Sequence, residues 1–359
     1  MDTSPLFNSS KIANLEISNR VVVAPLTRIS AMPDGCVGPL MTEYYKSFAQ
    51  GGFGLIITEG TYPDEHYSQT YINQSGIANT QQMQSWKPVV QAVHANGAKI
   101  IQQLMHAGAL SQFNRFNDIT KAPSAITPKG EQMALYHGKG AYKTPESMNE
   151  NDIKVVIQGF VDAALRSKEA GFDGVEIHGA NGYLLDQFLT DYMNTRSDAY
   201  GGSTQNRIRL TCEIANAVRQ AVGPDFIVGV RSSQAKVNDY EHKWADGAKD
   251  AEIIYTNLAK TGVDYIHTTE YEADQAAFPD SLSLAAYARQ FSKLPVIANG
   301  ALHESKRALD VLNSGNADFV ALGRGALANA DWPMRIKAQL EVDEFNPEIL
   351  SPFANLKSA

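Results

Sequence analysis

Cysteine is nearly absent: Cys36 and Cys212 are the only two in 359 residues. That excludes a disulfide framework, an iron-sulfur cluster and a cysteine-built zinc site, all of which need more ligands. It also makes a reducing compartment the simple reading, so the chain is expected in the cytoplasm. Basic charge is in the minority, with 31 Lys+Arg against 39 Asp+Glu and a net charge of -8. No block of like charge gathers into a tail, which argues against a nucleic-acid partner. No apolar run reaches membrane-spanning length, and the start Met1-Asp-Thr-Ser-Pro-Leu-Phe7 lacks the basic and apolar parts of a signal peptide. Also missing are a Gly-x-Gly-x-x-Gly stretch, a P-loop, a Gly-x-Ser-x-Gly elbow and a His-Glu-x-x-His pair. No metal is expected.

What is present is a core-forming composition, 43% hydrophobic and 19% charged, ordered as an alternation. Short runs rich in valine and isoleucine predict strands at Val21–Ala24, Gly54–Glu59, Lys99–Leu104, Gly174–His178, Phe226–Arg231, Tyr265–Thr268, Val296–Asn299 and Phe319–Leu322. Helical periodicity predicts helices near 40–50, 79–96, 149–170, 204–221, 247–261, 283–292, 303–314 and 331–341. Ser203 can cap the fourth helix, and Gly171 and Gly262 follow the third and fifth. Eight strands each followed by a helix describe an α/β fold, the (β/α)8 or TIM barrel. A doubly wound sheet is the alternative, disfavoured by the even alternation and the lack of a nucleotide fingerprint. The third and fourth strands are separated by about 75 residues, so the glycine- and proline-rich stretch 107–148 reads as an excursion over one barrel end. Residues 11–19 alternate and are expected to form a hairpin under the barrel. The whole of 1–359 reads as one domain.

In such a barrel the chemistry sits at the carboxyl ends of the strands. There the sequence places Thr27, Gln103, His178, Asn181, Tyr183 and Arg231: mainly neutral donors plus one permanent cation. A donor-rich site suits an anionic or carbonyl-bearing ligand, with Tyr183 as an acid beside a polarising His178/Asn181 pair. The last two strands end in Asn299-Gly300 and Leu322-Gly323-Arg324, the position that often cradles a phosphate. Each has a plainer reading. Thr27 is an ordinary strand former, Gln103 a solvated loop residue, His178 a structural histidine, Asn181-Gly182 a turn, and Tyr183 a core aromatic. Arg231 is harder to dismiss because a cation inside a barrel needs a partner, and Glu176 on the neighbouring strand is a candidate. His106 and His267 read as structural.

Five motifs in order carry a resemblance. They are Ala24-Pro-Leu-Thr-Arg28, Gln103-Leu-Met-His-Ala-Gly108, Glu176-Ile-His-Gly-Ala-Asn-Gly-Tyr-Leu-Leu-Asp-Gln-Phe188, Asn194 through Arg207, and Leu322-Gly-Arg324. Over nearly its whole length the chain resembles the Old Yellow Enzyme family of FMN-dependent ene-reductases. That resemblance implies FMN as cofactor and NAD(P)H as reductant, in a ping-pong cycle. Hydride would pass by way of the flavin to the β-carbon of an unsaturated carbonyl or nitro compound. It implies that Ala24, Pro25, Leu26, Thr27 and Gly60 meet the flavin edge, that Gln103 holds its pyrimidine side, and that Arg231 faces the N1/C2 carbonyl. Gly300, Gly323 and Arg324 would take the phosphate. His178 and Asn181 would bind the substrate oxygen, Tyr183 would protonate the α-carbon, and Met105 would shape the pocket. Met105 and Ala109 stand where many relatives carry tryptophan and arginine, which leaves substrate size and stereochemistry open. Competing readings are a flavin barrel that oxidises or demethylates a small molecule, a flavin- or ligand-binding protein without turnover, and a non-flavin barrel lyase.

Overall fold

The computed structural model describes residues 2–357. Its eight main strands close into a parallel barrel in which each strand pairs with its sequence neighbours: Val21–Val23, Leu55–Ile57, Lys99–Leu104, Gly174–Asn181, Ile227–Lys236, Tyr265–Thr269, Val296–Asn299 and Phe319–Leu322. Valine and isoleucine run continuously here because both faces of a parallel sheet are covered. The period of two then sorts them. Val22, Leu55, Ile57, Ile101, Ile227, Ile297 and Phe319 fill the interior, while Val21, Val23, Ile56, Ile100, Val228 and Val320 pack outward under the helices.

Ser10–Ile12 and Leu15–Ile17 form the expected antiparallel hairpin. It sends Ile12 and Ile17 into the interior cluster, and Asn14 Nδ2 donates to Asp225 O just before the fifth strand. The hairpin thus closes the end opposite the strand carboxyl termini.

The helices follow the expected spacing, and local chemistry fixes the ends of several. Asn149 and Asp152 make a reciprocal capping box at the start of Glu150–Ala170, which ends at Gly171 with φ 96°. Ser203 accepts from Asn206 N, as expected. The helix it starts is two pieces, Thr204–Arg207 and Arg209–Val222. Gly262 is not the cap of the fifth helix; that helix ends at Ala259, and Lys260 takes the cap position.

Two strands outrun their expected ends. The fourth continues through Asn181 and the fifth through Lys236, paired across an irregularity between Gly179 and Asn181. The register shift, with Asn181 at φ 61°, is the kind of local kink that lets pairing resume above the barrel rim. Residues 107–148 contain two short 3-10 turns and a two-residue strand, Lys121–Ala122, paired with Glu146–Ser147. This excursion brings Leu110, Tyr136 and Tyr142 into one cluster with Met105 and Tyr183.

Candidate active site

Register builds the polar floor of the barrel mouth. Gln103, Glu176, Gly229 and Tyr265 lie side by side on four successive strands. Gly229 is required at its place: a Cβ there would lie 2.1 Å from the Tyr265 ring. The ring occupies that space, and Tyr265 Oη donates to Glu176 Oε2 at 3.0 Å. His267 Nδ1 donates to the same oxygen at 2.8 Å, and Gln103 Nε2 donates to Oε1 at 2.8 Å. Glu176 is wholly buried. Burial alone would raise its carboxyl, but His267, Arg231 and Gln103 hold it below the usual carboxylate range.

Next along the strands, His178, Arg231 and His267 are register partners. Glu176 is not an ion-pair partner of Arg231, contrary to expectation, because its oxygens are taken by Gln103, Tyr265 and His267. Arg231 Nη2 donates instead to Asn299 Oδ1 at 2.9 Å. The Glu176 charge acts on the guanidinium through space, opposing the effect of burial. Arg231 Nε and His267 Nε2 are buried without a protein partner. Orphaned atoms beneath a barrel mouth are available to an external group.

His178 is almost fully buried, and Ala180 N donates to its Nδ1 at 3.3 Å. The ring's hydrogen therefore sits on Nε2. Burial, Arg231 and His267 push this imidazole far below its usual range, so it is a neutral donor. Asn181 adopts φ 61°. Its backbone N–H donates to Ser233 Oγ at 2.8 Å and its carbonyl accepts from Val237 N at 3.1 Å, and its side-chain amide has no hydrogen-bond partner among the described residues. Gly182 follows at φ 87° and donates to Asp186 Oδ2 at 2.6 Å. Lys236 Nζ clamps Asp186 with contacts of 3.0 and 2.9 Å, both side chains buried. Gln187 Nε2 ties Gly182 O to Ala107 O. Tyr183 is thus held on a braced turn. Its ring lies edge-on to His178 with centroids 5.1 Å apart, and burial pushes its hydroxyl up to about 12.

The residues expected around a flavin occupy strand ends of the same mouth. Ala24 N donates to Leu322 O, joining the first and eighth strand ends, and Pro25, Leu26 and Thr27 follow, partly buried. Gly60 sits against Met105, whose Sδ would be 2.6 Å from a Cβ at that position. Gly300 has φ 146° and passes so close to the 270–273 loop that a Cβ would meet Glu270 O at 2.4 Å. At Gly323 a Cβ would find only Leu26 Cδ2, at 3.6 Å, so packing does not demand glycine there and the approach is open. Arg324 is exposed, lies over the Phe345 ring at 5.7 Å, and has no carboxylate partner among the described residues.

The donor set fits FMN. A guanidinium Nε and a glutamine carbonyl with no partner among the described residues, a glycine rim, and an arginine with no carboxylate partner among them match an electron-accepting ring with an anionic tail. The sequence reading missed Tyr71, Tyr265, Asn299 as the acceptor for Arg231, and the Lys236–Asp186 clamp. Only the Gly229–Tyr265 complementarity had a signal, and it needs the register to be seen. His106 is structural as expected, accepting from Gly108 N and pushed down to about 4 by burial.

The closed eight-stranded parallel barrel defines the class by fold, a (β/α)8-barrel protein with a donor-rich mouth that fits a flavin. The sequence model of the NADH:flavin oxidoreductase / NADH oxidase family matches residues 5–343, and the chain belongs to that family, the Old Yellow Enzyme family. It uses FMN and NAD(P)H. It is 33% identical over 341 residues to NADH oxidase of Thermoanaerobacter brockii, a match that covers 92% of this chain and spans about half (50%) the length of that relative. It is 35% identical over 353 residues to putative 12-oxophytodienoate reductase 11 of rice, Oryza sativa subsp. japonica, covering 96% of this chain and 94% of the relative. The solved structure of the Old Yellow Enzyme homologue from Zymomonas mobilis superposes with a TM-score of 0.88 at 29% identity, covering 99% of both chains.

Proposed function

We propose that the enzyme is an ene-reductase acting on α,β-unsaturated carbonyl or nitro compounds. One arrangement carries the reading: a neutral His178 with its hydrogen on Nε2, an unengaged Asn181 amide, and the protonated hydroxyl of Tyr183 face one site beside Arg231. When bound, FMN supplies the two-electron chemistry, accepting hydride from NAD(P)H and delivering it to an electron-poor carbon. His178 and Asn181 donate hydrogen bonds to the substrate oxygen, drawing electron density from the β-carbon. Tyr183 holds a proton for the α-carbon. Arg231 would offer positive charge to the reduced cofactor, Gln103 would hold its pyrimidine side, and Gly300, Gly323 and Arg324 would receive the phosphate. Met105 and the 107–148 excursion wall the site, within a single domain spanning 1–359. Among the described residues no helix is long and apolar enough to cross a membrane, and the cysteine count supports a cytoplasmic setting.

The test is the double variant His178→Ala/Asn181→Ala. Loss of such a donor costs about 2.7–4 kcal/mol of barrier, roughly 10²–10³ in rate. We expect FMN to stay bound, p-hydroxybenzaldehyde to bind at least tenfold more weakly, and enone reduction to fall by at least that factor. Wild-type affinity for the phenol in the double variant would refute the assignment.

A further inference from the structure

Tyr71 lies outside every motif that pointed to the site, yet its Oη is 2.6 Å from Tyr183 Oη. Tyr71 is wholly buried, in a cluster with Ile29, Met105, Leu110, Tyr142 and Tyr183. The two hydroxyls share one contact, so one donates and the other accepts. If Tyr183 donated, the Tyr71 hydrogen would face that apolar cluster, where no other acceptor among the described residues is within hydrogen-bond reach. A buried donor without a partner is costly. If Tyr71 donates, both hydroxyls are served: Tyr71 is satisfied, and the Tyr183 hydrogen points to whatever occupies the mouth.

We propose that Tyr71 is a positioning residue for the Tyr183 acid, its O–H fixing the Tyr183 hydrogen toward substrate and bonding the phenolate left after proton transfer. This rests on the reading of Tyr183 as the proton donor. In the step itself the Tyr183 O–H bond breaks and a C–H bond forms at the α-carbon. The phenolate keeps the electron pair, and solvent returns the proton once product leaves. A phenolate in this dry cluster has few other donors, and a charge-assisted hydrogen bond from Tyr71 is the short, strong kind. The directions of the two hydroxyls agree: Tyr71 is held well above the ordinary phenol range by burial and by Tyr183, so it keeps its proton, whereas its hydrogen bond draws Tyr183 down against burial.

Tyr71→Phe keeps the ring and its packing and removes only the hydroxyl. The experiment measures flavin reoxidation by 2-cyclohexenone and flavin reduction by NADPH in the FMN-loaded wild type, Tyr71→Phe, Tyr183→Phe and the double variant. We expect Tyr71→Phe to slow reoxidation at saturating enone about tenfold, leaving the half-saturating enone concentration and the reductive rate unchanged. In the Tyr183→Phe background the same change should have no further effect. Equal slowing by Tyr71→Phe in both backgrounds, or no slowing in the wild-type background while Tyr183→Phe is slow, would overturn the role of Tyr71. Wild-type reoxidation in Tyr183→Phe would instead overturn the reading of Tyr183 as the acid, and the proposal with it.

Discussion

Which proton each group carries decides what the site can do. Burial, Arg231 and His267 keep His178 neutral, and burial keeps Tyr183 protonated up to about 12. Both groups therefore hold the protonation states that the proposed roles require throughout the neutral range. The sign follows directly: a histidine whose folded pKa lies well below 6.5 gains its proton only on acidification past neutrality, and a phenol at about 12 loses its own only in strong alkali. The rate of flavin reoxidation by an enone should accordingly be flat between pH 6.5 and 9, to within a factor of two. A limb with a midpoint in that window, measured by rapid mixing in buffers of constant ionic strength, would show that one of these environments is misread. His178, Asn181, Tyr183, Gln103 and Arg231 were all legible in the sequence because they crowd the ends of recognisable strands. The partner of Arg231 was not. Glu176 looked suitable by adjacency, yet three other donors occupy its oxygens, an allocation that depends on which side chains share a register level.

Elements were legible where their hydrophobic signal is continuous and illegible where tertiary contacts override it. All eight strands stand out because their valines and isoleucines are buried on both faces. The break at Ile208 does not. It is held from outside by Arg207 donating to Leu189 O and Arg209 donating to Ala199 O, contacts that no local period reveals. Segment 350–357 was equally silent. It folds back so that buried Arg28 donates to Ala354 O and Asn355 O, Ala354 N donates to Leu135 O, and Phe353 stacks on His137. This segment thereby braces both the first strand's loop and the 107–148 excursion beside Tyr183. The fifth and sixth strands give the sharpest test of packing. Gly229→Ala places a methyl group against the Tyr265 ring. Overpacking of this kind costs about 1–3 kcal/mol, and displacement of Tyr265 strips a donor from Glu176. The denaturation midpoint should fall accordingly and FMN affinity should weaken. A variant with unchanged midpoint and affinity would show that Tyr265 does not fill the barrel as described.

At the scale of the whole molecule, the hairpin closes one end of the barrel and the polar strand ends gather at the other, so the proposed reaction has one mouth for both its halves. Under the proposed function a reductant and an alkene sharing that mouth would exclude each other, in keeping with the two-step cycle that the family resemblance implies. Under the proposed function, substrate choice falls to Met105 and the 107–148 excursion, which cluster with Tyr183, rather than to the floor of Glu176 and Arg231. The most direct measurement is an anaerobic visible spectrum of the purified protein, followed by one equivalent of NADPH and then 2-cyclohexenone. Yellow flavin bands that bleach with NADPH and return with the enone are the predicted result. Bands that bleach and stay bleached would leave a flavoprotein whose oxidant is not an activated alkene, and would contradict the ene-reductase assignment.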